Sequence, residues 1–118
     1  MHGLPVGVDL SFFRGRQLLQ VCVGLNDVIL NFDNGVSLSI QTSISHHSST
    51  GKATIYEEYT PAATMLMSLL HQTIVGVRGD KKGTLHLEFS EGDCIHVYDS
   101  SEQYESYQIK HRGGEIIV

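Results

Sequence analysis

A chain of 118 residues, 41% of them hydrophobic, can bury one modest core without metal or disulfide staples and is too short for two domains that each stand alone. Its net charge of −5, with no Lys or Arg between Lys52 and Arg78 or between Lys82 and Lys110, disfavours direct binding of nucleic acid and favours cationic partners. No segment approaches the roughly 18 apolar residues that cross a bilayer, no basic region leads into an apolar run at the start, and Cys22 and Cys94 are too few for a disulfide framework; the expectation is a cytoplasmic protein with reduced thiols and no membrane contact.

In chain order, "DLSFFRG" predicts a short helical turn with Asp9 as its cap and Gly15 as its stop. The stretch "LLQVCVGLNDVILNFDNGVSLSI" then alternates apolar and polar residues with a turn at "DNG". A three-residue loop, a type I turn closed by glycine in the left-handed region, pairs Leu30 with Leu38 and Val28 with Ile40. "SISHHSSTGKATIYE" reads as a further hairpin turning in "SSTG". A helix follows near 61–71, with Thr60 as cap, Pro61 in the first turn, His71 in the last, and Ala62, Met65, Leu66, Leu69 and Leu70 as its buried stripe.

The segment beginning "LLHQTIVGVRGDKKGTLHLEFSEGDCIHV" repeats the first pattern. With Phe13 laid on Leu69, the residues Leu18, Leu19 and Val21 fall on Ile74, Val75 and Val77, and one extra loop residue places Gly35 on Gly92, Leu38 on Ile95 and Ile40 on Val97. The "SEG" loop then pairs Leu87 with Ile95 and Leu85 with Val97. "YESYQI" and "EIIV" flank the turn "RGG" as closing strands. The predicted fold is a single α+β domain over residues 1–118, with β-rich repeats at about 13–58 and 69–118 joined by one main helix and about eight short, mainly antiparallel strands.

No complete catalytic motif occurs: no GxSxG elbow surrounds any serine, "RGG" lacks the lysine and helix of a phosphate loop, and Cys22 lies in a strand pattern. The second hairpin's register does set His86 across from His96 and Glu88 across from Cys94, metal-ligating or acid/base types on neighbouring cross-strand pairs, whereas the first repeat carries Ile29, Asn31, Ser37 and Ser39 there. His46 and His47, beside a Ser- and Gly-rich turn, read as solvated. No cofactor or metal is expected.

The stronger functional signal is compositional. All five tyrosines sit in two acidic stretches: Tyr56, Glu57, Glu58 and Tyr59 in "YEEY", and Tyr98, Asp99, Glu102, Tyr104, Glu105 and Tyr107 in "YDSSEQYESY". Tyrosine offers a large amphipathic contact at little entropic cost, and adjacent carboxylates attract Lys and Arg, so these residues form the candidate partner-binding surface.

The pattern "LLQVCVG", "LNFDNGVSLSI", "HQTIVGV" and "YESYQI" followed by "EIIV" resembles a family of small bacterial domains of unknown function, from about Asp9 onward. In size, acidity and two-part β architecture the chain is also similar to immunity proteins of bacterial toxin systems, including contact-dependent inhibition. That likeness implies a non-enzymatic binding protein that neutralises a basic toxin domain such as a nuclease. The alternatives are a small ligand-binding or metal-dependent enzyme domain using His86, Glu88, Cys94 and His96, and a homo-oligomeric module.

Overall fold

A computed structural model describes residues 3–100 and 106–118. A 3-10 turn, Ser11–Phe13, precedes β1 (Leu18–Val23), β2 (Val28–Phe32), β3 (Ser37–Ile40), β4 (Ile44–His47) and β5 (Ala53–Tyr56). Helix α1 (Tyr59–Met67) leads to β6 (Ile74–Gly79), β7 (Leu85–Phe89), β8 (Cys94–Val97), β9 (Tyr107–His111) and β10 (Gly114–Ile117). Among the described residues the fold is thus α+β with one main helix and ten strands, rather than about eight, in two antiparallel sheets of five: β1-β2-β3-β9-β10 and β5-β4-β8-β7-β6.

The strand orders show how the two halves depend on each other. Each sheet takes three strands from one half and two from the other, so β1–β3 are completed by β9–β10, and β6–β8 by β4–β5. Neither half buries its own apolar faces; the shared core holds Leu30, Leu38 and Ile109 from one sheet with Leu87, Ile95 and Ile44 from the other. Burying each such side chain contributes about 1.5–3 kcal/mol.

The duplication is visible at the level of single hydrogen bonds where the halves meet. The Leu18 N–H donates to the Gln72 carbonyl at 3.0 Å, and its counterpart, the Ile74 N–H, donates to the Arg16 carbonyl at 2.9 Å. An isolated bridge joins Gln17 to Thr73 between these bonds. The register of β1 against β2 slips between Leu18 and Gln20, and that of β6 against β7 slips at the matching place, between Ile74 and Gly76. The bulged residues, Leu19 and Val75, are 50% and 52% exposed. A bulge shared at one position accounts for two apolar residues that break the alternation equally in both repeats.

Both hairpins have the expected register, with Leu30 facing Leu38 and Leu87 facing Ile95. Gly35 and Gly92 have φ of 74° and 97°, the region that glycine tolerates without steric cost. The loops differ in one respect. Asn34 also has positive φ, 58°, so the first turn uses an Asn-Gly pair with both residues left-handed, whereas in the second only Gly92 is.

The helix departs from its expected ends. It begins at Tyr59 after an extended Glu58, so Thr60 lies inside the first turn rather than capping it, and its carbonyl accepts the Thr64 hydroxyl at 3.1 Å. The helix stops at Met67, followed by turns that bring Leu69 into the core and leave His71 outside with φ of 75°. His71 is the counterpart of Gly15, whose φ is 81°: the Gly15 N–H donates to Ile74 and the His71 N–H to Leu18. The reversal after each helical segment therefore demands a left-handed residue, and His71 lies in that reversal, beyond the helix rather than in its last turn.

Candidate functional site

Among the described residues the two stretches meet in one groove through Ser100 of the second, and not every tyrosine or acid in them reaches the surface. Glu57 and Glu58 are exposed, while Tyr56 and Tyr59 are half-buried with their rings against the core. Glu57 and Tyr59 line a shallow groove of about 300 Å³ together with Gln41, Thr42, Ser43 and Ser100, so the "YEEY" stretch meets the segment leaving β8. The hydroxyls of Thr42 and Ser100 lie 2.6 Å apart in its lining. Tyr98 is half-buried, its hydroxyl 2.8 Å from that of Ser45. Glu102, Tyr104 and Glu105 lie outside the described residues.

Tyr107 and Asp99 are interior groups and present no contact surface. Tyr107 is 1% exposed, and its hydroxyl donates to the Gly83 carbonyl at 2.6 Å. Asp99, 9% exposed, accepts from the Ser106 hydroxyl and the Gly3 N–H, each at 2.8 Å. Gly83 makes this junction sterically feasible, because a Cβ there would lie 2.8 Å from the Asp99 carboxylate. Alternation explains the outcome: β9 takes its register from β3, with Ile40 opposite Tyr107, so Tyr107 falls on the core face beside Ile109.

The outward face of the second sheet holds the other candidate. His86 faces His96 and Glu88 faces Cys94, as the hairpin register requires. The structure adds His47 from β4, whose ring centroid is 4.4 Å from that of His96, while the His86 ring stands edge-on to His96 at 4.2 Å. Asp80 anchors one end of this row, its Oδ2 lying 2.9 Å from Nε2 of His86. At the other end the Ser45 hydroxyl lies 3.3 Å from His47 Nε2 and also meets Tyr98. His47 is therefore packed rather than freely solvated. His46, on the opposite face of β4, is likewise engaged, 2.8 Å from Asp93.

Beside this row lies a cleft of about 310 Å³ lined by Arg14, Arg78, His86, Glu88, Cys94 and His96. Gly76 opens it: a Cβ at that position would lie 2.9 Å from the Glu88 carboxylate. Burial, and then the positive character of His86, His47 and Arg78, push the His96 pKa down to about 4, so His96 is neutral at physiological pH. Burial, followed by the Glu88 and Asp93 carboxylates, raises the Cys94 thiol, which therefore stays protonated and poorly nucleophilic. The hydrogen bond to His86 holds Asp80 below the usual carboxylate range. Among the described residues no three His, Cys, Asp or Glu side chains converge as a metal-binding group.

Arg14, Arg78, Asp80 and His47 were not legible as parts of this face. Arg14 follows the 3-10 turn and His47 arrives by the non-sequential pairing of β4 with β8, so no local spacing joins them to His86. Asp80 did carry a turn signal, since its Oδ1 accepts the N–H groups of Lys82 and Thr84.

The chain belongs to the family of unknown function DUF6188, which it matches over residues 10–118. No curated protein and no solved structure matches it. Among the described residues no helix is long and apolar enough to cross a membrane.

Proposed function

We propose that this is a non-enzymatic binding protein that engages a cationic protein through the groove between Glu57, Tyr59 and Ser100. The exposed carboxylate of Glu57 and the half-buried ring of Tyr59, lining one groove with the hydroxyl residues Thr42, Ser43 and Ser100, carry this reading. Exposed Glu57 and Glu58 would steer a Lys- or Arg-rich surface, while the half-buried faces of Tyr59 in the groove and of Tyr56 beside these carboxylates supply rigid contact area. The finer reading is an immunity protein acting in the cytoplasm on a basic toxin domain, a nuclease being the class whose substrate-binding charge such a surface would cover.

The test is copurification with the product of the neighbouring reading frame, followed by affinity measurements on Glu57→Lys, Glu58→Lys and Tyr59→Ala. The charge reversals should slow association and alter its salt dependence. Tyr59→Ala should weaken binding by about 2 kcal/mol with the fold intact. A partner that binds all three variants as tightly as the parent places its interface elsewhere.

The duplication favours a second reading, a small-ligand site at the Arg14 and Arg78 cleft. The two sheets share one scaffold, yet where the second carries His86, Glu88, Cys94 and His96 the first carries Ile29, Asn31, Ser37 and Ser39. Arginines and imidazoles facing one carboxylate suit a small carboxylate or phosphate ester. Titration with acetate and with inorganic phosphate, followed by NMR at the His86 and His96 rings, tests it. Resonances unmoved at millimolar anion would remove this reading, whereas stoichiometric zinc in the purified protein would favour a metal-dependent one.

A further inference from the structure

We infer that two copies of this chain pair edge to edge through β5, in one register. Strand β5 is an outer strand of the second sheet, with β4 on its inner side. Its pairing phase follows from the turn: the Ser48 N–H donates to the Lys52 carbonyl at 2.8 Å, and the ladder above sets His47 against Ala53, His46 against Thr54 and Ser45 against Ile55. In an antiparallel ladder, hydrogen-bonded pairs alternate with non-bonded ones. Thr54 and Tyr56 therefore direct their amides toward β4, and Ala53 and Ile55 direct theirs away, to the open edge.

That phase permits few pairings with a second copy. A two-fold antiparallel pairing can centre on an outward-pointing or an inward-pointing amide, but centring on Thr54 or Tyr56 engages only two outward amides of each copy, against three (Ala53, Ile55 and Glu57) for a pairing centred on Ile55. Centring on Ala53 runs into the Ser48–Gly51 turn, and centring on Glu57 runs into the helix that begins at Tyr59. Centring on Ile55 leaves the whole strand available. Ile55 then exchanges backbone hydrogen bonds with Ile55 of the second copy, and Ala53 with its Glu57. Glu58 is still extended, with φ −115° and ψ 146°, so the chain stays strand-like to the end of this pairing.

The side chains agree with this register. Ile55, 66% exposed on its own, would meet its symmetry mate across the two-fold. Lys52 would face Glu58 of the second copy at both ends, and all four of these groups are exposed in the single chain. Glu57 would face Ala53, so no like charges are opposed. On the outer strand β10 of the other sheet, a pairing centred on Glu115 would instead set two carboxylates side by side.

The contact is short and falls below the area of about 1,200 Å² typical of stable interfaces, so the dimer should be weak and reversible. Sedimentation equilibrium of the protein alone, taken to about 1 mM, should show mass rising from monomer toward dimer. Lys52→Glu and Glu58→Lys should each weaken association by about tenfold or more, because each opposes like charges at both ends. The double variant Lys52→Glu with Glu58→Lys should restore the parental association, since swapping the pair recreates it. A parent that stays monomeric throughout would overturn the inference, and so would a double variant no better than the singles. No cationic partner takes part in these measurements, so they succeed or fail independently of the function proposed above.

Discussion

Replacing Tyr107 with Phe removes one hydroxyl from the interior and leaves the ring in place. That hydroxyl donates to the Gly83 carbonyl at 2.6 Å, and the residue is 1% exposed, so no water can readily substitute for it. Losing a buried hydrogen bond and stranding its acceptor costs about 1–2 kcal/mol, with no cavity term because the ring remains. For a domain of 118 residues this corresponds to a lower melting temperature by roughly 3–6 °C per kcal/mol. Tyr107→Ala should cost about 3–5 kcal/mol, since it also empties a core position. The alkaline limb separates the hydroxyl's role from general packing. Burial, with the Asp99 and Asp80 carboxylates nearby, raises the phenol above its usual value of 10.0, so the folded protein keeps a proton that the unfolded chain releases. Stability from this group is complete below about pH 10 and falls above it by about 1.4 kcal/mol per pH unit. Urea denaturation of parent and Tyr107→Phe from pH 8 to pH 11 should show the gap between them narrowing above pH 10. A Phe variant as stable as the parent at pH 8, or a gap independent of pH, would refute the assignment of Tyr107 as a buried hydrogen-bonded core residue.

Gly92→Val should destabilise by about 2 kcal/mol or more, because φ is 97° and the new Cβ would lie 2.9 Å from Ser49 Cβ; chemical denaturation reads this directly. His71→Gly should stabilise by about 0.5 kcal/mol, the relief of a left-handed non-glycine residue exceeding the added freedom of the unfolded chain, and an unchanged or lower midpoint would count against that balance. His96 should remain neutral until about pH 4 in an NMR titration of its ring protons. Because its folded pKa lies below the ordinary 6.5, the stability linked to it is present above pH 6.5 and is lost as pH falls toward 4. His96→Ala should flatten that part of the acid profile.

The local pairings were legible in the sequence because hairpins are local. Alternation with period two, a glycine at a fixed offset and a loop of known length suffice to place Leu30 on Leu38 and His86 on His96 without any tertiary information. The duplication was legible for the same reason, down to the paired Leu19 and Val75 that the structure resolves as matching bulges. What the sequence could not decide was which hairpin joins which sheet. The pairings of β3 with β9 and of β4 with β8 link residues far apart in the chain, and nothing in either strand's composition names its partner. Those two pairings turn Tyr107 inward and bring His47 against His96. They also leave β5 as an outer strand and draw the "YEEY" stretch and Ser100 to a single groove. Sequence periodicity tells a strand which of its faces is apolar, but only the packed core determines what covers that face, and hence which polar groups are left together at the surface.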